Sequence, residues 1–206
     1  VISDSEDING KNIIFCVKPY ALQSVAVRLQ GQANIVFSIL AGTTLDTIKK
    51  QIKAKYHVRT MPNVAASVSK STTTITGDKE AKNLAMELFG YIGKAVWVET
   101  EAQLDIATAV AGSGPAFLSL VAESLSDGAV KAGLQRSISN ELVQGLFEGY
   151  AKLLENQHPA IIKDTVMSPG GTTAAGMGKL EEGAVRDSMI KAIEASYEKA
   201  IDLGKK

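Results

Sequence analysis

The sequence is poor in most features that mark a specialised class of protein. One cysteine, Cys16, in 206 residues excludes an internal disulfide framework. It lies in the apolar run 13–17, so the expectation is a buried thiol. Neither sign of charge is in excess: 22 Lys+Arg face 22 Asp+Glu, which removes any general attraction to nucleic acid or an anionic membrane. No uninterrupted apolar run reaches the ~20 residues that a bilayer crossing needs, and Val1 opens no signal-peptide pattern. The two histidines and the cysteine have no metal-ligand spacing, so no metal site is expected. Internal repeats, low-complexity segments and charge blocks are missing too. What remains is an ordinary globular profile, 45% hydrophobic and 21% charged. The expectation is a soluble, cytoplasmic protein of one large or two modest domains.

What is present divides near Thr100. Residues 1–10 are polar and turn-like. Residues 13–17 (Ile-Ile-Phe-Cys-Val) and 35–40 (Ile-Val-Phe-Ser-Ile-Leu) read as buried strands, and 57–61, 72–76 and 95–98 as further strands. Helical stretches are expected over 20–29, 45–54 and 80–91. Strands alternating with helices of this length imply a mostly parallel, doubly wound sheet. Ligands of such sheets sit at the carboxyl ends of strands. Lys18-Pro19, Ala41-Gly42-Thr43 and Met61-Pro62-Asn63 would therefore line one rim, with small or turn-forming residues that let a nucleotide approach.

After Thr100 no strand pattern recurs. Residues 102–110 are helical; Gly112-Ser113-Gly114-Pro115 opens a helix to about Lys131, with proline near its first turn. Leu142, Val143, Leu146, Phe147, Tyr150, Leu153 and Leu154 hold a helical period, as do Met189, Ile190, Ile193, Tyr197 and Ile201, ending at Gly204. Broad apolar faces of this kind need a partner to bury them, and a homodimer is the simple inference. The expected architecture is α/β plus all-α, with residues 1–100 forming an N-terminally incomplete Rossmann-like domain and 101–206 a helical domain.

One stretch in the helical half stands apart. A helix-compatible run stops at Ser168-Pro169, then Gly170, Gly171, Thr172 and Thr173 open another. Proline disfavours helix at the serine, and the glycines permit a sharp bend. Unpaired N–H groups at the following helix N-terminus suit a carboxylate or phosphate, and the Ser168, Thr172 and Thr173 hydroxyls add donors. The plain alternative is a helix–turn–helix corner with a Ser/Thr cap.

Taken in order, Val17-Lys18-Pro19, Ala41-Gly42, Arg59-Thr-Met61-Pro62-Asn63, Gly112-Ser-Gly-Pro-Ala-Phe117 and Ser168-Pro-Gly-Gly-Thr-Thr173 resemble pyrroline-5-carboxylate reductase across nearly the whole chain. The resemblance implies an enzyme that reduces 1-pyrroline-5-carboxylate to proline with NADPH, or NADH, in the last step of proline synthesis. It also implies a helical domain that interlocks with its twin in a homodimer, often assembled further into decameric rings. By resemblance, Ser168 and the amides of Gly170 and Gly171, with Thr172 beside them, hold the substrate carboxylate. Thr173 places its hydroxyl on the ring nitrogen as the catalytic group. Val17, Lys18, Pro19, Ala41, Gly42, Met61, Pro62 and Asn63 line the dinucleotide, with Asn63 toward the nicotinamide. Gly112, Ser113, Gly114 and Pro115 form a helix entrance facing the same cleft.

Hydride transfer to an imine carbon needs neither a protein nucleophile nor a metal, because the cofactor carries the hydride. His57 and Trp97 read as structural, and His158 as a helix cap. Two departures from the family are plain. The strand, G-x-G-x-x-G loop, helix and second strand that open these enzymes are not in the 206 residues, so weak dinucleotide binding by this chain is expected. Where the family continues Met-Pro-Asn with Thr-Pro, this chain has Val64-Ala65, which implies a looser loop. The competing readings are another NAD(P)-dependent dehydrogenase of Rossmann-plus-helical design, or a non-catalytic dimerising fragment.

Overall fold

The computed structural model describes residues 5–204; residues 1–4 of the expected polar opening lie outside the described residues. The chain packs as two units, one made of residues up to 115 together with those from 193 onward, the other of residues 116–192.

The first unit contains the strands β1 (Glu6–Asp7), β2 (Asn12–Phe15), β3 (Leu29–Gln30), β4 (Ala33–Ser38), β5 (Ala54–Met61), β6 (Ser71–Gly77) and β7 (Gly93–Trp97). Its helices are α1 (Leu22–Ala26), α2 (Leu45–Gln51), α3 (Lys82–Gly90) and α4 (Glu101–Ala107). Five strands form a sheet in the order β2-β4-β5-β6-β7, while β1 and β3 pair with each other. Neighbours in the sheet run parallel except β5 and β6. The exception follows from the connection. Residues 62–70 hold a 3₁₀ turn, Val64–Val68, and no helix, whereas a parallel return needs about a dozen residues.

β4 reads as one apolar run because both of its faces are covered. Val36 packs with Phe15, Leu22, Ile48 and Ile52 on one side; Ile35 and Phe37 pack with Val58, Ile75, Ala85 and Phe89 on the other. The edge strand β2 corrects two expectations. Only Phe15 is buried there, while Ile14 and Cys16 are exposed. A strand with one covered face alternates inward and outward, which an apolar run alone does not reveal. Partial desolvation still pushes the Cys16 thiol above its ordinary value. The helix expected over 20–29 shortens to the 3₁₀ turn Pro19–Ala21 followed by α1, and Leu29 joins β3.

The second half of the chain contributes α5 (Gly114–Lys131), α6 (Arg136–Leu153), α7 (Pro159–Val166), α8 (Thr172–Glu182) and α9 (Val185–Gly204). From Glu101 to Lys131 the chain runs through α4, a π-turn and α5, and by length and composition these 31 residues are apolar enough to cross a membrane. Isolated charges such as Asp105 and Glu123 break the run without changing its average character. Leu118, Leu120, Leu125, Leu142 and Leu146 on α5 and α6 are exposed in the single chain.

One charged cluster fastens the first unit together. Arg59, in β5, is 2% exposed. Its Nη1 donates to Glu101 Oε1 at 2.7 Å and its Nη2 to Asp105 Oδ1 at 3.0 Å. The two carboxylates stand one turn apart on α4, on the same face. Glu101 Oε1 also accepts the Leu45 N–H at 2.8 Å, in the first turn of α2, whose N-cap is Thr44. A single guanidinium thus ties β5 to α4 and, through Glu101, to α2.

Arg59→Met leaves two partly buried carboxylates side by side without a counter-charge. The expected loss is about 3 kcal/mol, the low end for breaking a buried ion pair because both acids keep some contact with water. It is read as a lowered urea midpoint with an unchanged slope.

Candidate active site

The sheet register sets the rim of the first unit. Phe15 lies beside Ser38, and Ser38 beside Arg59, so β2 and β4 end level and β5 runs two residues further, to Met61. The segments that leave those ends are Val17-Lys18-Pro19, Ala41-Gly42 and Met61-Pro62-Asn63. Such a rim is where an open α/β sheet receives its ligand.

A cavity of about 370 Å³ opens there, lined by Ala41, Gly42, Met61, Thr108 and Ser113, with Lys199 among the α9 residues that close it. Gly42 has φ +68°, and a Cβ on it would stand 2.7 Å from Leu203 Cβ and 3.0 Å from the Leu203 carbonyl carbon. Only glycine permits both that backbone and the approach of the last turn of α9. Lys18 and Pro19 are exposed. Val17 belongs to a separate apolar groove with Phe15, Val25 and Leu29. Of the eight residues expected to line a cofactor, the cavity therefore gathers Ala41, Gly42 and Met61.

Asn63 is fully engaged by its own unit. Its N–H donates to Ser71 Oγ at 3.0 Å, its Oδ1 accepts the Ala65 N–H at 3.0 Å, and its Nδ2 donates to the Ala111 carbonyl at 2.9 Å. The Ala65 bond bears on the departure noted in the sequence. A proline at position 65 would have no N–H to give; alanine supplies one, and an Asn-capped 3₁₀ turn over Val64–Val68 replaces the rigid Thr-Pro corner.

Asp105, Thr108, Ser196 and Lys199 reach the same cavity and were not singled out from sequence. The available signal for Asp105 was indirect. An arginine inside a strand demands carboxylates, and Glu101 and Asp105 stand four apart, the spacing of a shared helix face.

The second unit holds the Ser-Pro-Gly-Gly corner. α7 ends at Val166, Gly170 takes φ +70°, and α8 begins at Thr172 with Gly171 as an N-cap that offers no side chain. The Gly171 N–H, expected to be free for an anion, donates to the Ser168 carbonyl at 3.0 Å. A Cβ at Gly171 would sit 2.5 Å from Ser168 Oγ, so glycine lets the hydroxyl lie against the backbone. Ser168, Gly170 and Thr172 are exposed and Thr173 is half-buried. These five residues are brought together at one helix N-terminus, where the first-turn amides and the helix dipole favour negative charge.

The other singled-out residues have structural partners. His57 is 6% exposed, with Nε2 2.9 Å from the Ile52 carbonyl oxygen. His158 Nδ1 accepts the Ala160 N–H at 3.2 Å and caps α7. Trp97 is half-buried, with the Lys82 ammonium 5.3 Å from its ring centre.

Residues 101–203 match the family model described as pyrroline-5-carboxylate reductase dimerisation. Over 202 residues the chain is 42% identical to a pyrroline-5-carboxylate reductase of Synechocystis sp., covering 94% of this chain and 75% of that one. A pyrroline-5-carboxylate reductase structure from Coxiella burnetii superposes with a TM-score of 0.87 at 33% identity, over 97% of this chain and 78% of the other. The Plasmodium falciparum pyrroline carboxylate reductase, solved with NADP bound, superposes at 0.85 and 29% identity over 94% and 77%.

Gly42→Ala tests the strand exit. The left-handed backbone and the collision with Leu203 together predict a loss of about 2–4 kcal/mol, measured by thermal unfolding. Hydrogen exchange rises first in the last turn of α9.

Proposed function

This chain belongs to the pyrroline-5-carboxylate reductase family, a family of NAD(P)H-dependent oxidoreductases, and we propose that it reduces the cyclic imine 1-pyrroline-5-carboxylate to L-proline, with NADPH as the preferred donor and NADH as an alternative. The observation that carries this reading is the shared rim of three parallel strands, whose exits bear Pro19, the left-handed Gly42 and Asn63. The cavity of about 370 Å³ beside Ala41 and Met61 fits one end of a dinucleotide, not the whole molecule. When bound there, the cofactor supplies the hydride.

The chain's own residues bind and orient. Lys18 and Pro19, with Val17 behind them, continue the rim from β2. Ala41, Gly42, Met61 and Pro62 flank the nicotinamide end, and Asn63 stands behind them with its side chain committed to Ala65 and Ala111. Ser168, the Gly170 amide and Thr172 hold the substrate carboxylate against the N-terminus of α8, where the dipole offsets its charge, and Gly171 closes the corner beneath them. The Thr173 hydroxyl meets the imine nitrogen. The imine carbon takes the hydride and the nitrogen keeps a proton, so protonation before transfer makes the carbon more electrophilic, and a hydroxyl on nitrogen orients or relays that proton. Residues 1–100 act in this reading as the dinucleotide-binding domain and 101–206 as the substrate-binding and dimerisation domain. The protein works in the cytoplasm as a homodimer that builds decameric rings.

The test is loss of reduced-cofactor absorbance with pyrroline-5-carboxylate, using the natural gene product that contains this sequence. Thr173→Val lowers kcat about 100-fold, and Thr173→Ser recovers most of it. Ser168→Ala raises the KM for pyrroline-5-carboxylate about tenfold, the worth of one hydrogen bond to a charged group. No turnover with either cofactor overturns the assignment, and a monomeric mass by light scattering overturns the dimer.

A further inference from the structure

We propose that Asn63 is a positioning residue that replaces the backbone donor removed by Pro115, and so holds the wall of the cleft in place. Between α4 and α5 the chain takes a π-turn, Thr108–Gly112. Ser113 N–H donates to the Thr108 carbonyl, five residues back, at 3.1 Å. In a continuing α-helix the Ala111 carbonyl would receive the N–H of residue 115. That residue is proline and has none. The carbonyl is met instead from β5's exit, by Asn63 Nδ2 at 2.9 Å.

The side-chain amide is fixed by its surroundings. Ala65 N–H requires an acceptor on one side and the Ala111 carbonyl a donor on the other, so only one orientation satisfies both. Asn63 itself is anchored through its N–H to Ser71 Oγ, and Ser71 Oγ lies 3.0 Å from Thr73 Oγ1 in the buried part of β6. The π-turn held in this way carries Thr108 at its start, and Ser113 follows directly. These two residues face Ala41, Gly42 and Met61 across the cavity. A π-bulge inside a helix commonly marks a functional site; here the cause is one missing proton donor, supplied from the neighbouring loop.

The functional half of this inference rests on the reading of that cavity as the nicotinamide end. Its structural half does not, and the experiment separates the two. Wild type, Asn63→Ala, Pro115→Ala and the double variant are compared by hydrogen–deuterium exchange of residues 108–114 and by steady-state kinetics. Asn63→Ala raises exchange in that segment about tenfold and lowers kcat about tenfold, while the KM for NADPH moves less than about threefold. Pro115→Ala restores an N–H within reach of Ala111, so the double variant returns to within about threefold of wild type in both readouts. Asn63→Asp keeps the acceptor for Ala65 but sets a carboxylate oxygen against the Ala111 carbonyl where the donor was, and it reproduces the rise in exchange should Pro115→Ala fail to fold. Unchanged exchange in Asn63→Ala and Asn63→Asp, or a folded double variant that does not recover, overturns the proposal. Faster exchange with an unmoved kcat overturns the positioning role in the reaction. A wild type without turnover counts against the reductase reading alone, since exchange still decides the latch.

Discussion

A guanidinium buried in a sheet dictates much of the arrangement around it. Taking Arg59 out of water costs several kcal/mol unless fixed carboxylates compensate, and β5 has none of its own to offer. The chain brings Glu101 and Asp105 to it on one face of α4, which obliges α4 to lie against β5. Asn63 then takes hold of the same segment at its other end, through the Ala111 carbonyl. Residues 59 and 63 thus clamp the first turn of α4 and the π-turn that ends it. The cavity wall made by Thr108 and Ser113 rests on those two attachments together with the buried Leu104 and Ala109 between them.

The parts of this arrangement that could be read from the sequence are those governed by neighbours along the chain. The strands at 35–40 and 57–61 announce themselves through β-branched and apolar runs, and the strand exits through Pro19, Gly42 and Pro62-Asn63. Element direction is harder. β6 turns out antiparallel to β5 because residues 62–70 contain no crossover helix, and the threonine run 72–76 carries no mark of direction. Among the described residues β2 is the last strand of its sheet, and the exposure of Cys16 follows from what covers that strand rather than from the run itself. The clamp is harder again. Arg59 with Asp105, and Asn63 with Ala111, are 46 and 48 residues apart, and no local period connects them. A buried polar group announces that it needs a partner without saying which one.

The helical half shows a different limit. Glu101–Lys131 has the composition of a membrane span, yet its first two turns carry the two carboxylates that pin Arg59, and its later turns expose Leu118, Leu120 and Leu125. Burying such side chains is worth roughly 25 cal/mol per Å² of apolar surface. A second copy of the chain supplies matching surface in a family whose model over residues 101–203 is a dimerisation domain. Composition alone does not separate a lipid-facing helix from a partner-facing one. The paired charges on α4 separate them, because a guanidinium and two carboxylates held by a sheet belong to a globular unit.

Two glycines make the closing point about sites. At Gly42 the missing Cβ leaves room for Leu203; at Gly171 it leaves room for the Ser168 hydroxyl. In each case the absence of a side chain lets another group stand against the backbone, beside the rim cavity in one unit and at the α8 N-terminus in the other. The positive φ at Gly42 adds a second reason for glycine there, whereas Gly171, at φ −79°, is favoured by contact alone. A sequence reading that treats both as turn formers finds the right positions for only part of the right reason. At Gly171 the backbone would accept an ordinary L side chain, and a Cβ there would turn the Ser168 hydroxyl away from its place against the chain.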